Sequence, residues 1–520
     1  MATDTDKPRA PQRSFSANAV LSALGWALPA LTAFFAIPVT VRGLGADEYG
    51  LLALTAALTG YLGLMEMGLG TAIMRYLSYH HALDEGRPML GIISFAVRWF
   101  GAAGVVGGTF LWLAAPWLAT TALHVPAELE TTAITVLHLT GINFLLAMLI
   151  SIGTAIPQSF LRYDIAAGMS AIWGTLAAAG PAVIVSLGRG LVAVVWFSVI
   201  SNLAALGMYT FIGWRLMRTV PLDAGPPWQA IRRRTLRFAG VTALNQIGYQ
   251  VAAQTSRLVV GIAGGVAAAA YYQVPYVLSS RVNDMLSRVA QVLFPTASGL
   301  MAHDDLDAVR RLYLRTSRLF FVLNFSVTGA LVVLADPLLR YWVSPTYAEK
   351  GAIALAVFSL SQSLHATTMS ASYVNLSAAR PGINLAFATM SSVISLGTVY
   401  PLTATWGVSG AALAGLLGAA NVPFFLHYGH TRVLHVSSWL VWRRCYQPTV
   451  LGVSSSCTLA YFALRPLCHG LALTLAIWCL VVVMAMGVSG LFGGLAREDW
   501  HTVRRLGTAL LVRLRLRAEH

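Results

Sequence analysis

Within the apolar stretch VLSSRVNDMLSRVAQVLFP, residues 277–295, stand three charged side chains: Arg281, Asp284 and Arg288. Asp284 follows Arg281 by three positions and precedes Arg288 by four, so on an α-helix all three share one face. That grouping supports two kinds of chemistry. Asp284 can neutralise one arginine in a structural pair that staples the helix to a neighbour, with the spare arginine reaching an interface. Alternatively, the spare guanidinium faces a lumen and takes an anion, since its planar fork pairs bidentately with phosphate. Three further ionisable residues lie inside apolar segments, Arg98, Arg257 and Glu66. Four arginines against two carboxylates leave the embedded set at a formal +2, which favours an anionic ligand over a cationic one. Charges at a lipid-facing midplane cost roughly 2.5–3.5 kcal/mol each, so these side chains should face the bundle interior or water.

Other candidate chemistry is thinner. His427, His430 and His435 have loose metal-like spacing, but no Cys or carboxylate completes a set, and no metal is expected. Cys445, Cys457, Cys468 and Cys479 form no CxxC and no pairing framework, so they read as packing residues. His138 and His365 read as hydrogen-bonded packing residues, and Trp112, Trp117, Tyr341 and Trp342 as interfacial aromatics, with sugar stacking as their other use. No G-x-x-x-x-G-K-[ST] loop is present, and no cofactor is expected.

The scaffold that positions these residues follows from composition. Of 520 residues, 57% are hydrophobic and 11% charged, whereas soluble domains are about 25% charged. A soluble enzyme is excluded. Apolar runs of spanning length recur from residue 17 to about residue 492, and they are continuous rather than alternating, which selects helices over a β-barrel. The expected fold is an all-α polytopic membrane protein of about fourteen transmembrane helices: two six-helix lobes and two extra C-terminal helices, with a central cationic cavity. The expected divisions are a cytoplasmic N-terminal tail at 1–16, a first lobe at 17–219, a cytoplasmic linker at 220–235, a second lobe at 236–433, spans thirteen and fourteen at 446–492, and a basic cytoplasmic tail at 493–520. The polar N-terminus leads into an apolar run with no cleavage-site pattern, so no removable signal peptide is expected.

With both termini in the cytoplasm, 26 of the 35 Lys and Arg residues fall in cytoplasmic segments, 5 outside and 4 within spans, as the positive-inside rule requires. Topology thus accounts for most of the formal charge of +15 without a nucleic-acid partner. The basic tail, with alternating Arg and apolar residues, reads as a surface helix drawn to anionic lipid.

The lobes read as copies. Arg162 and Arg380 each stand between two apolar spans, 218 positions apart, and at about that offset Gly190 maps near Gly407 and Glu66 onto Asp284. A six-span unit begins and ends on one side, so the copies share an orientation, the arrangement in which paired lobes rock around a site near the midplane.

Asn18, Pro38, RGLGADEYGLLAL at 42–54 and YLGLMEMGLGTAIMRYLS at 61–78, with AGGVAAAAYYQVPYVL and LFPTASGL in the second half, resemble the Wzx-type polysaccharide flippases of the multidrug/oligosaccharidyl-lipid/polysaccharide exporter superfamily. The resemblance implies a bacterial cytoplasmic-membrane protein that is not an enzyme and moves an undecaprenyl-diphosphate-linked oligosaccharide from the inner to the outer leaflet. Membrane lipids surround it, and the polysaccharide polymerase and glycosyltransferases of the same pathway are candidate partners. On that reading Arg281, Arg288, Arg257 and Arg98 would meet the pyrophosphate. Asp284 would be their charge partner. Glu66 would be either a protonatable coupling residue or a structural partner of Arg75 or Arg98. The motifs are shared with lipid II flippases and, more distantly, with cation-coupled multidrug exporters. An exporter of cations would want carboxylates where this chain has arginines. A glycosyltransferase or polymerase would want acid–base residues in long external loops, and loops such as TTALHVPAELETTA are short.

Overall fold

A computed structural model describes residues 15–66, 68–221, 223–290, 300–301, 305–378 and 380–494. Every regular element among the described residues is helical. The chain forms two compact units, 1–254 and 255–520.

In the first unit the helices are α1 (Phe15–Leu62), α2 (Leu69–Ala82), α3 (Gly86–Trp117), α4 (Glu130–Ser159), α5 (Tyr163–Ser186) and α6 (Leu191–Met217). Helix α7 (Trp228–Gly264) carries the chain from this unit into the second. The long α1 is two helices joined at Gly45, whose φ of 77° and ψ of 175° interrupt the ladder. That break falls between the first two expected spans. Helix α1 lies along α5, and α4 packs against α3 and α6. Gly108 of α3 and Gly141 of α4 permit a close backbone approach: a Cβ on Gly141 would stand 2.7 Å from the Gly108 carbonyl oxygen. Small residues let helix backbones meet in this way where no hydrophobic effect drives them together. The core of the unit joins Ile73 and Leu77 of α2, Ile92 and Phe100 of α3, and Phe144 and Ile152 of α4.

The second unit continues with α8 (Val266–Ala290), α9 (Leu306–Val333), α10 (Ala335–Trp342), α11 (Pro345–Thr367), α12 (Met369–Ser377), α13 (Pro381–Gly418), α14 (Val422–Tyr428), α15 (Ser438–Val441), α16 (Gln447–Leu459) and α17 (Leu471–Ser489). Helix α11 packs on α8, α9 and α13, while α16 and α17 pair with each other and with α9.

The internal repeat has a backbone counterpart. Gly45 and Gly265 have φ of 77° and 81°, and Gly188 and Gly407 have φ of 74° and 55°. Members of each pair lie about one repeat apart in sequence. These left-handed positions suit glycine, which lacks the Cβ that would clash. Arg162 and Arg380 each occupy the non-helical position just before α5 and α13. The glycine matching Gly407 in conformation is Gly188. Gly190, expected from the sequence offset, is extended, with φ of −83°.

Nine helical stretches among the described residues are long and apolar enough to cross a membrane. Two of them, Ala27–Glu66 and Gly382–Val433, take in helices bent at Gly45 and Gly407. They therefore cover four of the fourteen expected spans. Helices α7, α8 and α11 have 37, 25 and 23 residues but are not among the nine. They carry polar residues along their length: Gln254 and Arg257 on α7, Gln273, Arg281 and Asp284 on α8, and Ser359, Ser361 and Ser363 on α11. Large apolar residues such as Phe35, Leu113, Leu203, Phe462 and Val483 are exposed, as lipid contact requires and water contact disfavours. The chain is a multi-pass membrane protein.

Candidate functional site

The charged face expected near residue 284 forms on α8. Arg281 Nη1 lies 3.6 Å from Asp284 Oδ2, and the two side chains are 42% and 47% exposed. At that separation and exposure an ion pair contributes at most about 1 kcal/mol, so Arg281 stays available to a stronger anionic partner. Arg288 follows on the same helix; its side chain lies outside the described residues.

Arg257, near the end of α7, sets its Cζ 4.8 Å from the centre of the Tyr276 ring. Tyr276 stacks with Tyr272 at 5.8 Å, and both meet the Phe358 ring of α11 edge-on, at 5.6 and 4.9 Å. Placing the cation over a ring held by two other rings contributes about 0.5–2 kcal/mol and fixes where the guanidinium points. The sequence reading passed over these aromatics, although Tyr272 and Tyr276 in YYQVPY are four apart and end five residues before Arg281. On the same helix, Gln273 Oε1 and Asn283 Oδ1 are buried with no hydrogen-bond partner among the described residues. Buried polar atoms in this state call for a ligand or water.

In the first unit, Glu66 ends a 3₁₀ turn, Gly63–Glu66, that follows α1. Gly68, at φ 64°, turns the chain into α2 but has no side chain to cap it. The Glu66 carboxylate does so instead, accepting a hydrogen bond from the Gly70 backbone N–H. The first N–H groups of a helix lack intrahelical acceptors, and the positive end of the helix dipole favours an anion there. Glu66 therefore has a structural partner in the backbone of α2. The preceding carbonyl, Met65 O, accepts from Trp99 Nε1 at 3.3 Å, which ties the turn to α3. Arg98, adjacent to Trp99, is exposed and bonds the Ser94 carbonyl of its own helix at 3.2 Å.

The six embedded charges thus divide between the units, with Glu66 and Arg98 in the first and Arg257, Arg281, Asp284 and Arg288 in the second. Of the singled-out histidines, His427, His430, His138 and His365 have hydrogen-bond partners. His427 Nδ1 and His430 Nδ1 both reach Ser438 Oγ, at 3.0 and 3.3 Å, and His430 Nε2 meets the Tyr313 hydroxyl at 2.7 Å. His138 bonds the Trp112 carbonyl at 3.2 Å, and His365 bonds Ser361 O at 3.0 Å and Ser391 Oγ at 3.1 Å.

Residues 39–349 match the family model described as "Polysaccharide biosynthesis protein". A Shigella flexneri protein described as a candidate O-antigen transporter is 19% identical over 423 residues, covering 81% of this chain and 98% of its own. Among solved structures, the lipid II flippase MurJ in an inward closed conformation has a TM-score of 0.68 at 12% identity, over 90% of this chain and 98% of MurJ. An inward-facing multidrug resistance transporter of the MATE family has a TM-score of 0.63 at 15% identity, over 79% of this chain and 98% of its own. These structural likenesses establish the fold of a membrane transporter. The chain belongs to the polysaccharide biosynthesis protein family, in line with its resemblance to the Wzx-type flippases.

Proposed function

We propose that this transporter is a flippase for an undecaprenyl-diphosphate-linked oligosaccharide, moving it by alternating access from the inner to the outer leaflet of the bacterial cytoplasmic membrane. The observation that carries the reading is Arg281, weakly paired at 3.6 Å and accessible, on the helix whose Tyr276 supports Arg257. A diphosphate linker carries about two negative charges, and arginine is the side chain suited to hold it bidentately. Arg288 and Arg98 would add to the attraction, with Asp284 holding Arg281 in place between cycles. Two six-helix lobes with both termini cytoplasmic would do the rocking, and the pathway's polymerase and glycosyltransferases would work beside it. A negative cell interior assists, because an anion gains roughly 2.3 kcal/mol per charge per 100 mV on moving outward.

The test is complementation of a strain lacking the gene, reading lipid-linked oligosaccharide retained inside and polymer at the surface. The wild-type gene should restore surface polymer; Arg281→Ala should lower it at least about tenfold at equal membrane levels, while costing under about 1 kcal/mol of stability. Unchanged glycan together with accumulation of peptidoglycan precursor, or with new sensitivity to cationic drugs, would assign a different cargo. Full activity of Arg281→Ala would reduce the charged face to scaffolding.

A further inference from the structure

Where α16 begins and α17 ends, the second unit holds a cavity of about 540 Å³ lined by Arg318, Arg443, Arg444, Leu440, Pro448 and Phe492. Two π-helical turns border it, Trp442–Tyr446 and Gly490–Gly494. The walls are pinned. A Cβ on Gly452 of α16 would collide with the Ser489 backbone nitrogen of α17, and Ser489 Oγ donates to Thr449 O at 3.5 Å. Arg318 bonds the sulfur of buried Cys445, whose Sγ lies 3.7 Å from Leu314 O in α9.

Three guanidinium groups face this cavity, and among the described residues no carboxylate lines it. Arg443 and Arg444 form no ion pair with any described residue. The remaining lining, Leu440, Pro448 and Phe492, is apolar, which suits an amphiphile rather than a free ion. Its depth is marked by Trp439 and Trp442, which are 69% and 42% exposed, since exposed tryptophan at a span end sits at the headgroup level.

We propose that this cavity binds the phosphate headgroup of an anionic phospholipid, with the guanidinium groups on the phosphate and the glycerol and first acyl carbons against Leu440, Pro448 and Phe492. The assignment is independent of the cargo carried elsewhere in the chain. Basic pockets between membrane helices bind lipid headgroups by this combination of charge and depth.

The test uses full-length protein in neutral detergent, titrated with fluorescent phosphatidylglycerol and, in parallel, phosphatidylcholine. Wild type should prefer phosphatidylglycerol by about tenfold or more, and Arg443→Gln/Arg444→Gln should bring the preference to within about twofold of unity. A control of equal charge loss should keep it: Arg232→Gln/Arg233→Gln on α7. Should the double variant fail to fold, Leu440→Glu, which supplies an internal carboxylate, should abolish the preference as well. Equal losses in a control, or wild-type preference in the pocket variants, would show diffuse attraction and overturn the assignment. Complete displacement of phosphatidylglycerol by millimolar inorganic phosphate would overturn it in favour of a free-phosphate site.

Discussion

Glu66 separates a structural carboxylate from a coupling one, and the structure gives each a different mutational signature. Its carboxylate takes the Gly70 N–H at the start of α2, a position that Gly68 leaves uncapped. Replacing it with alanine removes both the acceptor and the charge at the positive end of the helix dipole. Loss of a cap costs about 0.5–2 kcal/mol, and the charge adds roughly 0.3–1 kcal/mol. Glu66→Gln keeps an oxygen for Gly70 and loses only the second contribution. Thermal unfolding of the purified protein should therefore rank wild type above Glu66→Gln, and Glu66→Gln above Glu66→Ala. At equal membrane levels, Glu66→Gln should transport within about twofold of wild type, as expected of a residue whose role is a neutral-compatible hydrogen bond. Gly70→Ala is a second route to the same break, since its Cβ would land on Glu66 Oε1, and should melt like Glu66→Ala. If Glu66→Gln melts like wild type and yet loses transport tenfold or more, the cap reasoning is wrong and titration of Glu66 belongs to the mechanism.

Three further outcomes follow from packing. Asn143 Oδ1 accepts from Asn202 Nδ2 at 2.6 Å between α4 and α6; a double-mutant cycle with alanine should give a coupling of about 0.6 kcal/mol and no more than about 1.7. Tyr276→Phe should keep the ring under Arg257 and retain both stability and transport, whereas Tyr276→Leu should lose about 0.5–2 kcal/mol in unfolding experiments. Gly141→Ala should destabilise by about 1–3 kcal/mol through the collision with Gly108. Gly101→Ala on α3, where an added Cβ meets nothing within 4 Å, should instead be neutral or raise stability by up to about 1 kcal/mol.

Much of the scaffold was legible because lipid imposes a one-dimensional constraint. Continuous apolar length specifies a helix, and breaks in it specify turns, so the division of α1 near Gly45 and of α13 near Gly407 could be read from the chain. The charged face of α8 was legible for a similar reason: positions three and four apart on a helix must be neighbours, and Arg281 and Asp284 are. Hydropathy was less decisive where a helix is lined with polar groups, as α7, α8 and α11 are. The repeat offset was approximate, and only backbone angles identified Gly188 as the counterpart of Gly407.

The sequence by itself determined an all-helical membrane transporter, the family motifs and the surplus of embedded arginine, because each depends on residue type, spacing or apolar length alone. Tertiary structure decided what those residues touch. Glu66 lies against Gly70 at the first turn of α2, Arg257 rests on Tyr276, and Arg318 joins Arg443 and Arg444 around one cavity. Arg318 and Arg443 are far apart in the chain, and nothing in local periodicity relates them. Their proximity arises from how α9, α16 and α17 pack, and packing is set by the side chains of all three helices together.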